Sequence, residues 1–239
     1  MISAEKHIFS FYYSPNNKEV FILDSKDPLY GRIISILRMQ INDIYICFDI
    51  NFIYTVIIIE INKKSIINKI IEKKENKKIG KKVSAYVPYL ERDYLNEIFY
   101  MAGQQGINDI TLVKTDLSHI KEYTEKDYIR FEKLMIQGCE QGKQYFLPQF
   151  NKISISITDL IQIKEKIYWF YENGDMLSSL LYNNENQEYS FLCGPERGYS
   201  HREIDILTNT KKYHSIKLSD SVLRSVDVVK FASVFFKSI

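Results

Sequence analysis

Short apolar runs rich in Ile, Tyr, Val and Phe alternate with polar breaks through the first 72 residues, the breaks falling at Pro15-Asn16-Asn17 and Asp49-Ile50-Asn51. A period near two with β-branched and aromatic residues predicts strands over residues 7–13, 19–23, 43–48 and 52–62. Together they predict a small β-barrel over residues 1–72. One helical stretch, residues 29–39, interrupts it and ends in Ile36-Leu37-Arg38-Met39. From Lys63 to Lys82 Ile mixes with Lys, which predicts a last strand running into an exposed basic linker over residues 73–82.

From Val83 onward strands alternate with longer amphipathic segments, the pattern of an α/β domain over residues 83–239. Strands are predicted over residues 83–87, 109–113, 166–171, 189–193 and 213–218. Helices are predicted over residues 92–105, 124–141, 158–164, 200–209 and 222–237. Ser200-His201-Arg202-Glu203 reads as a capping box, and Ser219-Asp220-Ser221 offers cap oxygens to the last helix. That helix is apolar on several sides: Val222, Leu223, Val226, Val229 and Phe236 share one stripe, whereas Val228, Phe231, Val234 and Phe235 fall on others. Burial on more than one face follows. A terminal helix inside one core and a helix shared with a second copy both satisfy the pattern.

A chain of 239 residues, 45% hydrophobic and 26% charged with 9 Gly and 5 Pro, has the composition of a globular protein. Cys47, Cys139 and Cys193 lie far apart and form no CxxC pair, so neither a disulfide framework nor a thiolate metal site is expected. The four histidines, at 7, 119, 201 and 214, have no ligand spacing, and no metal is expected. No apolar core of a signal peptide occurs in Met1–Pro15, and the apolar run Phe52–Ile59 closes at Glu60, so the expected location is cytoplasmic, away from membranes. The 36 Ile against 4 Ala indicate an AT-rich genome that also inflates Lys, Asn and Tyr. The net charge is +2, yet residues 63–82 carry nine Lys against two Glu, so the rest of the chain is mildly acidic. The basic segment reads equally as an RNA-binding surface and as a solvated strand edge.

The most informative segment is Leu192-Cys193-Gly194-Pro195-Glu196-Arg197-Gly198-Tyr199-Ser200-His201-Arg202-Glu203, a strand end, a Gly/Pro loop and a capped helix start. The glycines allow close backbone approach and positive φ, and such loops sit at the carboxyl ends of strands where open α/β sheets bind ligands. Leu218-Ser219-Asp220-Ser221-Val222-Leu223-Arg224 repeats the logic. The pair resembles the small-subunit ribosomal RNA uridine-N3 methyltransferases of the SPOUT superfamily, with their L-x-GPEGGF-S-x-x-E and LG-x-x-LRTETA motifs. Gly194, Pro195, Glu196, Gly198, Ser200 and Glu203 match the first, and Leu218, Leu223 and Arg224 the second. Ile36-Leu37-Arg38 through Asp43 resembles VLR-x-x-x-GD of the family's N-terminal barrel, Ala102, Gly106, Ile107 and Ile110 its K-A-x-E-LG-V-x-x-I, and Glu140-Gln141 through Pro148 its E-Q-S-x-R-x-x-x-P.

The resemblance, which covers nearly the whole chain, implies a C-terminal trefoil-knotted SPOUT methyltransferase domain preceded by a small PUA-like β-barrel. It implies S-adenosylmethionine as cofactor, ribosomal RNA or the small ribosomal subunit as partner, and a homodimer. Expected cofactor residues are Glu172, Leu192, Cys193, Gly194, Glu196, Gly198, Leu218, Val222 and Leu223, with Arg224 as the catalytic candidate. Expected RNA-binding residues are Arg38, Lys73, Lys74, Lys77 and Lys78. The chain departs from the family's pattern at Arg197, Ser219, Val226 with Asp227, and at Leu117 and Gln144, where two arginines are expected. These departures leave open the same chemistry on another RNA, or an RNA-binding assembly factor that keeps the fold without turnover.

Overall fold

The computed structural model describes residues 7–15, 18–77, 80–119, 122–163, 165–182 and 188–239. The chain divides into two compact units, residues 1–78 and 79–239.

In the N-terminal unit β1 (Ser10–Tyr12), β2 (Val20–Asp24), β3 (Ile44–Phe48), β4 (Phe52–Ile61) and β5 (Ser65–Glu75) form one sheet in the order β1-β3-β4-β5-β2. β1 runs parallel to β3 and the other ladders are antiparallel. Alternation along the strands sends Phe21, Leu23, Tyr45, Tyr54, Val56, Ile58 and Ile66 into one core, and the Tyr45 hydroxyl donates to Asn68 Oδ1 at 2.9 Å within it. Among the described residues no ladder joins β1 to β2, so this is an open sheet where a closed barrel is predicted.

The predicted helix over residues 29–39 is shorter. Asp27 caps α1 (Pro28–Gly31) by accepting from the Leu29 N–H, a π-helical turn follows over Arg32–Ile36, and Arg38 turns left-handed at φ 52°. A non-glycine residue there ends any helix. The predicted linker also needs correction. β5 continues through Glu75, so Lys73 and Lys74 are ladder residues opposite Tyr54 and Ile53. Isoleucines inside the basic run give it strand character that the charge count hides.

The C-terminal unit is built on an all-parallel sheet of β6 (Lys82–Pro88), β7 (Asp109–Lys114), β8 (Gln149–Ser156), β9 (Ile167–Met176), β10 (Glu188–Leu192) and β11 (Tyr213–Lys217), in the order β11-β9-β10-β6-β7-β8. The chain builds outward from β6 through β7 to β8, then crosses to the other side, so β6 and β10 flank the point where strand order reverses. Such a point opens a crevice at the carboxyl ends of the strands. The connecting helices are α2 (Arg92–Gln105), α3 (Glu125–Gly142), α4 (Ile157–Leu160), α5 (His201–Asn209) and α6 (Ser225–Ser238). Sequence pattern misses β8, whose residues Gln149-Phe150-Asn151-Lys152-Ile153-Ser154 are mostly polar because the strand lies at the sheet edge.

Helix α6 starts three residues later than predicted. Its cap position is Arg224, while Ser219 and Ser221 bond one another instead of capping it. Val226, Val229, Ala232 and Phe236 are buried, Phe236 against Tyr168, Tyr189 and Phe191. On the other faces Val228 is also buried and Phe235 packs partly on the core, whereas Phe231 and Val234 are 55% and 54% exposed.

Candidate active site

A cavity of about 840 Å³ opens beside a bulge in β9 and the carboxyl ends of β10 and β11, walled by that bulge, by the segments after β10 and β11 and by the start of α6. Its first wall is a break in β9. The ladder to β11 pairs Ser215 with Trp169 but Ile216 with Asp175, so Phe170 to Gly174 loop out of register. Gly174 allows this, since a Cβ there would lie 2.5 Å from the Ile216 nitrogen. The excursion brings Phe170, Tyr171 and Glu172 to the cavity. Glu172 therefore lies within a bulged strand and not, as predicted, at the strand's end.

The second wall is the β10–α5 junction. Gly198 N–H donates to Pro195 O at 3.0 Å in a tight turn, and Gly198 has φ 72°. Gly194 does not need that freedom; only Gly198 takes positive φ in this loop. Tyr199 is buried under the turn, where its hydroxyl donates to Cys193 O at 3.1 Å and its ring meets Trp169 edge-on. Burial, then the neighbouring Cys193 and Glu203, pushes the Tyr199 pKa far up, so it remains a donor. The capping box predicted from Ser200 and Glu203 forms, and Glu203, fully buried, also accepts from the Asp116 N–H at 2.9 Å. Asp116 in turn takes hydrogen bonds from Ser200 Oγ at 2.6 Å and from Arg202 at 2.6 and 3.0 Å. The bonds from Arg202, then Ser200, hold its carboxyl below the usual range.

The third wall is the β11–α6 junction. Lys217 pairs with Asp220 at 2.8 Å, Val222 is 89% exposed, and Leu223 packs partly on the core. At the start of α6, Ser225 Oγ donates to Gly194 O at 2.6 Å, which ties this junction to the preceding one. Arg224 lines the cavity and is gripped by Asp227, Nε to Oδ2 at 3.0 Å and Nη2 to Oδ1 at 3.3 Å.

The structure thus brings together Glu172, Gly194, Glu196, Gly198, Leu218, Val222, Leu223 and Arg224 around one cavity. Two predicted neighbours are corrected. Leu192 and Cys193 are wholly buried behind the wall. The Cys193 N–H already donates to Tyr86 O and its carbonyl accepts from Tyr199, while burial raises its thiol pKa. Neither residue lines the cavity. Pattern reading missed Tyr94, His201 and Ser225, which also line the cavity. Ser225 carried a signal, as the residue directly after Arg224 in the second motif.

The predicted RNA-binding residues belong to the N-terminal unit. Arg38 is exposed at its left-handed turn. Lys73 Nζ sits 3.7 Å above the Phe52 ring, Lys74 is exposed on β5, and Lys77 pairs with Glu75 at 2.7 Å. Lys78 lies outside the described residues. At the departures from the resembling family, Leu117 is exposed, and Gln144 lies where a Cβ on Gly106 would be 2.7 Å from its Oε1. Among the described residues no group of three or more His, Cys, Asp or Glu could hold a metal ion, and no helix is long and apolar enough to cross a membrane.

Residues 58–228 match the family described as RNA methyltransferase domain. The chain belongs to that family. A Rickettsia conorii protein, ribosomal RNA small subunit methyltransferase E, is 26% identical over 146 residues, 58% of this chain. That match takes in 57% of the relative's length. Among solved structures, a ribosomal RNA small subunit methyltransferase E from Neisseria gonorrhoeae bound to S-adenosyl methionine superposes with a TM-score of 0.78 at 16% identity, covering 97% of this chain and 98% of the other. A Legionella pneumophila structure in complex with the same cofactor superposes at 0.76 and 19% identity, covering 98% of each chain. The RNA methyltransferase domain therefore includes all three walls of the cavity, up to the second residue after Val226.

Proposed function

We propose that this chain transfers a methyl group from S-adenosylmethionine to N3 of a uridine in small-subunit ribosomal RNA, using the cavity beside the β9 bulge and the β10 and β11 ends. The observation that carries the reading is that both glycine- and leucine-bearing junctions of the resembling family wall the same cavity in an RNA methyltransferase domain. Its volume of about 840 Å³ falls in the range of small-molecule sites, roughly 300–1,000 Å³. Gly198 leaves its backbone open, with no atom within 4 Å of where a Cβ would stand. These features fit an adenosyl and a methionyl group. Gly194, Gly198, Leu218 and Leu223 would hold it through main-chain groups, with Val222 as an apolar wall and Glu172 and Glu196 as acceptors.

When bound, S-adenosylmethionine supplies an electrophilic methyl on a sulfonium. Uracil N3 is a poor nucleophile while protonated, so its proton must leave as the new N–C bond forms and the S–C bond breaks. Negative charge then develops on the flanking carbonyls. Arg224, charged at any working pH, lines the cavity and meets that charge, and the proton passes to solvent. The cavity otherwise orients two reactants, which is a large part of such catalysis.

The reading extends to a knot in the C-terminal domain, to a PUA-like role for the N-terminal sheet in holding RNA phosphates through Arg38, Lys73, Lys74, Lys77 and Lys78, and to cytoplasmic work on the ribosome. It also includes a C2 homodimer. Phe231 and Val234 support that last point, being apolar, half exposed and on the helix that opens the cavity. Small-subunit ribosomal RNA incubated with the protein and S-adenosylmethionine, digested and analysed by mass spectrometry, is expected to gain 3-methyluridine. Cofactor binding by calorimetry with no methylated nucleoside in this RNA would favour the same chemistry on another RNA, and no cofactor binding would overturn methyl transfer and favour the assembly-factor reading.

A further inference from the structure

Four helices of the C-terminal unit carry an acid at their third position: Asp127 in α3, Asp159 in α4, Glu203 in α5 and Asp227 in α6. In the first three, that acid reaches back to the cap residue's backbone N–H, and the cap hydroxyl of Thr124, Ser156 or Ser200 accepts from the acid's own N–H. This reciprocal bonding is the usual role of an acid there. Helix α6 is the exception. Its cap residue is Arg224, which offers no side-chain acceptor, and the Asp227 carboxylate is committed to the Arg224 guanidinium through two parallel hydrogen bonds.

We infer that Asp227 is a positioning residue that fixes the plane of the Arg224 guanidinium at the cavity wall. The inference rests on the reading of Arg224 above. The pairing uses Nε and one N–H of Nη2, and a guanidinium carries five N–H donors, so three remain on the edge away from Asp227. A planar fork held on one edge presents the other in a fixed direction, as recognition of paired carbonyl or phosphate oxygens demands. Asp227 is the better sheltered partner, 29% exposed against 63% for Arg224. A surface pair three residues apart adds little to stability. The helix could have had a capping box at this point, as α3, α4 and α5 do, so the arrangement suits aim better than stability. It also places a carboxylate one residue after the position where the resembling family's LRTETA carries its Glu, a position occupied here by buried Val226.

The test is a double-mutant cycle in methyl transfer with S-adenosylmethionine affinity measured in parallel. Asp227→Asn keeps the shape and removes the charge. It is expected to lower kcat about tenfold, as small misplacements at a reacting centre do, with cofactor Kd and Tm unchanged. In the Arg224→Ala background the same change should cost nothing more, because Asp227 acts only through that side chain. Full kcat in Asp227→Asn or in Arg224→Ala overturns the inference, as does an equal loss in both backgrounds. Nitrogen-15 NMR of the Arg224 Nε–H gives a readout free of turnover: a restrained signal in the parent should become mobile in Asp227→Asn. Should the parent make no product, the functional reading fails, and an NMR signal indifferent to Asp227 sinks the positioning role separately.

Discussion

The β10–α5 and β11–α6 junctions wall one cavity and have similar ingredients, yet they are held in different ways. In the first, small and polar residues are fixed by partners far along the chain. Asp116 accepts from Ser200, 84 residues away, while its N–H donates to buried Glu203, and the bond from Tyr199 to Cys193 O, six residues back, adds to these. In the second, the bonds between Lys217 and Asp220, Ser219 and Ser221, and Arg224 and Asp227 all span two or three residues. One long bond, from Ser225 to Gly194, joins the second junction to the first. The contrast indicates a division of labour. With the ligand proposed above, the first junction would present preorganised backbone and the second would gain order on binding.

The comparison can be broken first at Glu203. Replacing it with Ala removes a charged acceptor from two backbone N–H groups, those of Ser200 and Asp116, at a fully buried position. The loss should be about 3 kcal/mol in chemical denaturation. No single polar replacement between Ser219 and Ser221 should come near it. Equal losses on the two sides would mean that the second junction has support that its local bonds do not reveal.

A smaller effect separates stability from affinity. Val222 lines the cavity and is 89% exposed, so Val222→Ala should leave the denaturation midpoint in place. If a ligand covers the side chain, the same change should weaken S-adenosylmethionine binding by up to roughly 1.6 kcal/mol, about fifteenfold, for two lost methylene equivalents. Gly194→Val sharpens the contrast from the other side. A Cβ there makes only ordinary contact with Phe170 O at 3.5 Å, so folding should tolerate it. The branch beyond Cβ crowds a backbone that the ligand must approach, so titration should show binding reduced at least about tenfold. Retained affinity in Gly194→Val would place the ligand elsewhere.

The sequence exposes the first junction more clearly than the second for the same reason that it is more stable. Gly, Pro and the Ser200–Glu203 spacing are local signals of turn and cap, and the structure forms both. Serines at 219 and 221 give an equally local signal, yet they bond one another because Arg224 begins the helix three residues on. The long-range partners were illegible. Nothing near Asp116 in the sequence tells that it sits beneath the α5 cap. The bulge at Gly174 was equally hidden, since its cause is the close backbone of Ile216 on another strand. In the N-terminal unit, periodicity located the strands of β2, β3 and β4 to within two residues, but closure of a sheet depends on pairing between its edges, which periodicity does not encode.

The smallest expected effect concerns acid. Asp116 is held below the usual carboxylate range by Arg202 and Ser200, and Asp220 by Lys217. A depressed folded pKa favours the folded state above the unfolded value, about 3.9, and that contribution disappears as pH falls through the folded pKa. A carboxylate held by a bond made only on folding therefore contributes at neutral pH and loses its contribution below about pH 4. They differ in what the bond holds. Asp116 links its own loop to α5, so protonating it releases a contact made only on folding, whereas the Lys217–Asp220 pair spans three residues and forms readily in an open chain. Melting curves taken between pH 6 and pH 3 should thus show a shallower acid decline in Asp116→Asn than in the parent, and an unchanged decline in Asp220→Asn. The Asp116 difference should shrink in high salt without vanishing, since screening weakens the exposed Arg202 pair but leaves the neutral hydrogen bond from Ser200. Matching declines in the two variants would mean that local and long-range bonds hold the two junctions equally, and the division of labour between them would have to be abandoned.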